Sequence, residues 1–178
     1  MNAALRIEPM TDADWPEVRR IYTDGLVTGN ATLEREAPDW SHFDHSHRHD
    51  CRLVARSAAA AGGPILGWTA LTAYSSRRVY AGVAWESVYV AAAARGQGVG
   101  RALLEGLIPA SEASGLWTLL AGILSDNAAS VALHRAVEFR RVGVQHRLGQ
   151  DASGRWRDVL LFERRSPVVG GRRAGPGA

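Results

Sequence analysis

The sequence predicts an α+β fold, and three observations carry the prediction. Short runs with strand character recur from Leu5 to Phe162, apolar faces with helical spacing stand between some of them, and no segment repeats. The length, 178 residues, fits one domain, because chains usually divide only beyond about 250 residues. Hydrophobic residues make up 46% and charged residues 22%, enough apolar mass for a core and too much for disorder.

The elements follow in order. Leu5–Pro9 alternates as a strand, and Thr11 then offers a helix cap, with Asp14 three residues on and Trp15, Val18, Tyr22 and Leu26 at helical spacing. Pro38-Asp39-Trp40 opens a polar helix or loop. Arg52–Ala55 and Ile65–Leu71 read as strands joined as a hairpin through Ala58–Gly63. Val83–Val90 is a further strand. After a glycine-rich stretch, Arg95–Gly100, Leu103, Leu104, Leu107 and Ile108 form one helical face. Trp117–Leu124 reads as a buried strand, Asp126 or Asn127 as the cap of a helix holding Val131 and Leu133. Arg141–Leu148 and Arg157–Phe162 are strands around the turn-rich Gly149–Gly154. Residues 1–165 are expected as the single domain and residues 166–178, rich in Gly, Pro and Arg, as a flexible tail.

Charge and cysteine usage exclude several function classes. The net charge is +3, but Arg164, Arg165, Arg172 and Arg173 stand near the C-terminus without an acid, so the rest of the chain is near neutral. All 21 basic residues are arginine, which reads as coding bias, and no nucleic-acid partner is expected. No apolar stretch is long enough for a membrane span and no signal peptide is visible. With a single cysteine, Cys51, the expected location is cytoplasmic.

The informative element is strand, then Arg95-Gly96-Gln97-Gly98-Val99-Gly100, then helix. Glycines let backbone N–H groups face an anion, and the helix N-terminus adds a favourable dipole, so the loop suits a phosphate. It lacks the Gly-Lys-Ser/Thr ending of a P-loop and the spacing of a dinucleotide loop. A glycine turn between strand and helix also forms without binding anything.

Arg95, Gly98 and Gly100 after a strand form an R-x-x-G-x-G loop that resembles the acetyl-CoA pyrophosphate loop of the GNAT superfamily of N-acetyltransferases. Ser87–Val90, Asp126–Ser130 with Leu133-His134, and Gly154–Val159 look like its phosphinothricin and methionine-sulfone acetyltransferase branch. The resemblance runs from about Leu5 to Arg164. It implies a mixed seven-stranded sheet, splayed at its centre and flanked by helices, and an enzyme that moves acetyl from acetyl-CoA to the amino group of an amino-acid-like acceptor. It implies a cofactor site made of Val88, Tyr89, Val90, Arg95, Gly96, Gln97, Gly98, Val99, Gly100, Arg101, Asn127 and Ser130. In it the pantetheine arm lies along Val88–Val90 and the Val90 N–H stabilises the oxyanion. A homodimer is also implied.

One departure stands out. The family resemblance calls for a glutamate three residues before Val88, and that position is Trp85; Glu86 follows it. Side chains alternate across a strand, so a one-residue shift turns a carboxylate to the opposite face unless a bulge restores it. A bulge that turns Glu86 into the cleft as the base is the favoured expectation. In a regular strand Glu86 would point away and Trp85 would line the acceptor pocket. The alternative to an active enzyme is a catalytically weak acetyl-CoA-binding module or sensor.

Thr32 and Glu36 resemble a loop lining the acceptor pocket, and Arg78 and Tyr80, before the central strand, are candidates for meeting the acceptor. His42, His45, His47 and His49 with Asp44, Asp50 and Cys51 suggest a metal, but no second separated cluster completes the pattern and no metal is expected.

Overall fold

The computed structural model of the chain describes residues 5–58 and 62–170. Strand β1 (Leu5–Pro9) leads through a 3-10 turn into helix α1 (Trp15–Val27). Thr11 starts the turn: its backbone N–H and its hydroxyl both donate to Asp14 Oδ2, at 2.8 and 3.0 Å. Helix α2 (Trp40–Ser46) is capped by Asp39, whose side chain accepts from the His42 N–H at 2.8 Å. Strands β2 (His47–Ser57) and β3 (Ile65–Ala73) pair antiparallel as the expected hairpin, residues 59–61 of its connection lying outside the described residues. Then come β4 (Val83–Val90), α3 (Val99–Ala113), β5 (Thr118–Leu124), α4 (Ala128–Ala136), β6 (Arg140–Gln150) and β7 (Trp156–Arg165).

The seven strands form one mixed sheet in the order β1-β2-β3-β4-β5-β7-β6. Every neighbouring pair is antiparallel except β4 with β5, which needs a crossover and receives it from α3. That parallel pair is short, running only from Val83↔Thr118 to Trp85↔Leu120. Beyond it β4 stays with β3 and β5 with β7, so the sheet splays at its centre.

The apolar faces read from the sequence bury as expected. Leu103, Leu104 and Leu107 of α3 are fully buried. Val18 and Ile21 of α1 join Phe43 and Trp68 in one core cluster, while Leu104 and Leu107 join Leu119, Ile123 and Phe162 in another. Glu138, at the exit of α4, adopts φ +68, a left-handed conformation that glycine would take at lower cost.

The histidine-rich segment divides between α2 and β2. His47 stacks on Phe43 at 3.9 Å and Asp44 pairs with Arg52 at 2.8 Å. Of the segment expected as a tail, Ser166 donates its N–H to the Trp117 carbonyl at 2.9 Å, and its hydroxyl oxygen accepts from the Val168 and Val169 N–H groups. Residues 171–178 lie outside the described residues. Among the described residues no helix is long and apolar enough to cross a membrane.

Candidate functional site

The site begins with an open strand edge. Tyr74 N–H donates to the Val83 carbonyl and Ala91 N–H to the Leu66 carbonyl, so the odd-numbered backbone groups of β4 point to β3. By the alternation of an extended chain, the N–H groups of Val88 and Val90 point the other way, to the side from which β5 has diverged.

A cleft of about 590 Å³ lies against this edge, lined by Val88, Val90, the glycine loop, Asn127 and Ser130 among others. A second cavity, about 240 Å³, continues where β4 and β5 part, bounded by Thr32, Glu86, Ser87, Gly122, His134 and Val159 among others.

The glycine loop is shaped by its conformation. Gly96 and Gly98 have φ +73 and +83, and a Cβ on either would meet nothing within 4 Å, so backbone geometry rather than crowding selects glycine there. Gly98 is the N-cap of the 15-residue α3, whose first-turn N–H groups have no partner inside the helix and open onto the cleft. A Cβ on Gly100 would lie 2.9 Å from Leu133 Cδ2, so its glycine serves the approach of α3 to α4.

The other wall is the loop after α1. Asn127 accepts from the Ser130 N–H at 3.0 Å, capping α4, and donates through Nδ2 to the Asn30 carbonyl at 2.8 Å. Buried Arg157 reaches the same loop, donating to the Gly29 carbonyl at 2.9 Å, and is ion-paired with Asp151 at 3.2 Å. Thr32, two residues beyond Asn30 on this loop, lines the smaller cavity. The Tyr89 ring stacks on Trp68 at 4.7 Å, and burial pushes its hydroxyl well above the ordinary tyrosine range, so it stays protonated at neutral pH.

Strand β4 has no bulge. Its ladder with β3 runs unbroken from Gly67↔Val90 to Ala73↔Ala84, which corrects the expected mechanism for aiming Glu86. The stated consequence of a regular strand fails as well. Glu86 shares its face with Ala84 and Val88, toward α3 and α4, yet lines the smaller cavity because the gap left by β5 opens that face to it. Trp85 lines neither cavity; it sits half-buried beside Tyr74, ring centroids 6.1 Å apart.

Glu86 has a partner that the strand pattern did not reveal. Its Oε1 lies 2.6 Å from His134 Nε2, both side chains almost fully buried, and its Oε2 is buried without a hydrogen-bond partner. Burial lowers the His134 pKa, but the charge and hydrogen bond of Glu86 and the Ser130 carbonyl outweigh this, and the net shift is upward from 6.5.

Of the predicted cofactor residues, all except Gln97 line the larger cleft; the Gln97 amide instead donates to the Ala93 carbonyl at 2.7 Å. Of the predicted acceptor residues only Thr32 lines a cavity. Glu36 is exposed, and Arg78 and Tyr80 occupy an exposed 3-10 turn before β4, away from both cavities, with Arg77 over the Tyr80 ring at 5.4 Å. Sequence reasoning missed the Glu86–His134 contact and the Arg157 tie to the loop, both of which join distant segments.

Comparison with known proteins agrees with this geometry. Residues 15–139 match the family described as acetyltransferase (GNAT). The chain is 36% identical over 170 residues to phosphinothricin N-acetyltransferase of Alcaligenes faecalis, covering 92% of this chain and 83% of that protein. It is 33% identical to an L-methionine sulfoximine/L-methionine sulfone acetyltransferase of Pseudomonas paraeruginosa, covering 92% and 94%. Among solved structures, a phosphinothricin acetyltransferase from Sinorhizobium meliloti in complex with AcCoA superposes with TM-score 0.82 at 28% identity, covering 99% of this chain and 94% of that one.

Proposed function

Because the chain belongs to the GNAT acetyltransferase family, it is an acetyl-CoA-dependent N-acetyltransferase, and we propose that its acceptor is a small amino acid of the phosphinothricin or methionine-sulfone type. The observation that carries the reading is the open edge of β4, with the Val88 and Val90 N–H groups turned toward a cleft that ends at the glycine-capped N-terminus of α3.

The residues present fit acetyl-CoA. The α3 N-terminus with Gly96 and Gly98 offers N–H groups and a dipole to a pyrophosphate, and Arg95 and Arg101 border the same cleft. The β4 edge offers a ladder to an amide-containing arm. Bound there, acetyl-CoA supplies the acetyl thioester. The Val90 N–H then stabilises negative charge as it develops on the carbonyl oxygen, the kind of preorganised dipole that often supplies the largest catalytic contribution. Glu86 accepts a proton from the acceptor's ammonium group.

The competing reading, a catalytically weak binding module, rested on Trp85 standing where a carboxylate was expected. Glu86 brings a carboxylate to the cavity wall from the neighbouring position, which favours the enzyme. Trp85, Arg78, Tyr80 and Glu36 are assigned no contact with the acceptor.

The working form is a homodimer in the cytoplasm. Support comes from β6, an edge strand, where Val142, Val144 and Leu148, with Trp156 of β7, are exposed together. Light scattering that gave only a 19.2 kDa species would contradict the dimer. The function is tested by thiol release from acetyl-CoA with phosphinothricin, L-methionine sulfone, L-methionine sulfoximine and the common amino acids. Turnover with the first three is expected, and release with none of the panel would overturn the assignment.

A further inference from the structure

Two oxygens of one buried carboxylate have different surroundings. Oε1 of Glu86 lies 2.6 Å from His134 Nε2, and Oε2 is buried with no partner in a residue that lines the inner cavity. A buried carboxylate oxygen without a donor is costly.

The ring of His134 is held at its other nitrogen. Nδ1 lies 2.7 Å from the Ser130 carbonyl, which only accepts, and 3.2 Å from the Ser130 hydroxyl, which also donates. The 2.7 and 2.6 Å contacts are those of a ring that donates from both nitrogens, Nδ1–H to the Ser130 carbonyl and Nε2–H to Glu86 Oε1; in the neutral ring that keeps Nε2–H, Nδ1 takes its hydrogen bond from the Ser130 hydroxyl instead. When the ring takes up a proton, the new N–H forms at Nδ1 and donates to the Ser130 carbonyl. Oε1 is occupied by Nε2–H in both states.

We propose that His134 is a positioning residue for acetyl transfer: its Nε2–H holds Oε1 of Glu86 so that Oε2 remains the proton acceptor for the incoming amine, and its ring charge acts directly on that carboxylate. The proposal rests on the acetyl-transfer reading above. A positive ring 2.6 Å away neutralises the carboxylate's charge; a neutral ring leaves that charge uncompensated in a largely apolar wall. The charge acting on His134 is that of Glu86 from β4; β7 presents Phe162 and the exit of α4 presents Phe139.

The protons balance. The acceptor's ammonium gives one proton to Oε2, its nitrogen bonds to the thioester carbonyl carbon as the C–S bond breaks, and a second N–H proton passes to the departing thiolate. The proton on Glu86 then leaves to water.

The test uses the full chain with acetyl-CoA and L-methionine sulfone, recording kcat/KM against pH, while NMR of the His134 ring gives its titration without turnover. In the wild type, kcat/KM should rise through a limb above pH 6.5 that coincides with the His134 titration. Glu86→Gln should lower kcat/KM by about 10²–10⁴-fold, the usual range for a lost general base, with little change in the KM for acetyl-CoA, and should lower the His134 titration. His134→Gln should retain slower turnover without that limb. A limb that survives in His134→Gln, or one that does not coincide with the ring titration, overturns the proposal, as does a Glu86→Gln enzyme with the wild-type rate. If His134→Gln does not fold, the wild-type coincidence and the isosteric Glu86→Gln decide. A wild type that binds acetyl-CoA but acetylates no acceptor overturns the function itself, and this assignment with it.

Discussion

The side-chain amide of Asn127 spans 97 residues of sequence to donate to the Asn30 carbonyl at 2.8 Å, while its oxygen caps α4 through the Ser130 N–H. One side chain thus starts a helix and fastens the loop that covers the cleft. Asn127→Ala removes both bonds, and the lost cap alone costs about 1 kcal/mol. Urea denaturation should show at least that loss, and calorimetry should show weaker acetyl-CoA binding. Wild-type affinity in the folded variant would mean that the loop does not depend on this tie.

Gly98→Val separates backbone from ligand effects. The sequence alone suggests that binding suffers far more than stability. The φ of +83 adds a cost, because a β-branched residue is strained there by roughly 1–3 kcal/mol, although open space around the position prevents a clash. Stability should fall by about that amount, and acetyl-CoA affinity should fall further in protein that remains folded. Unchanged affinity would remove Gly98 from the phosphate-binding loop.

Gly25 tests packing behind the cleft. A Cβ there would lie 2.9 Å from the Tyr89 ring, which is fixed against Trp68. Gly25→Ala adds about 0.5–1 kcal/mol of helix propensity and introduces overpacking worth about 1–3 kcal/mol, so a net loss is expected. Equilibrium denaturation showing a gain would indicate that the ring moves freely.

The Glu86–His134 pair also shapes stability against pH. The folded-state pKa of His134 lies above its ordinary 6.5, so the pair's proton-linked stabilisation is fully present below about pH 6.5 and is lost as pH rises through the folded value. The stability difference between wild type and Glu86→Gln should therefore shrink as pH increases across that window. Urea titrations at several pH values check this, and a constant difference would contradict it.

Some of this was legible in the sequence because it is local. The Thr11–Asp14 start of α1, the glycine-capped α3 and the Asn127 cap each lie within a few residues, and the periodicity of Leu103, Leu104 and Leu107 shows directly which face is buried. Alternation in β4 put Trp85 and Glu86 on opposite faces, as the regular ladder has them, but it aimed Glu86 away from the pocket that Glu86 in fact lines. What it did not give was the position of the cavity, which depends on β5 leaving β4 after Leu120. The contact between Glu86 and His134, 48 residues apart, and the reach of Arg157 to Gly29 across 128 residues follow from that tertiary arrangement. Arg78 and Tyr80 lie close in sequence to β4 but at the end of the strand away from the splay.

Transfer of isotopically labelled acetyl from acetyl-CoA to the α-amino nitrogen of L-methionine sulfone or phosphinothricin, followed by NMR of the product, tests the central claim most directly. The structure predicts a labelled N-acetyl product formed in step with free CoA thiol, and its loss in Glu86→Gln. Thiol release without labelled amide, or no binding of acetyl-CoA to the cleft beside β4, would contradict it.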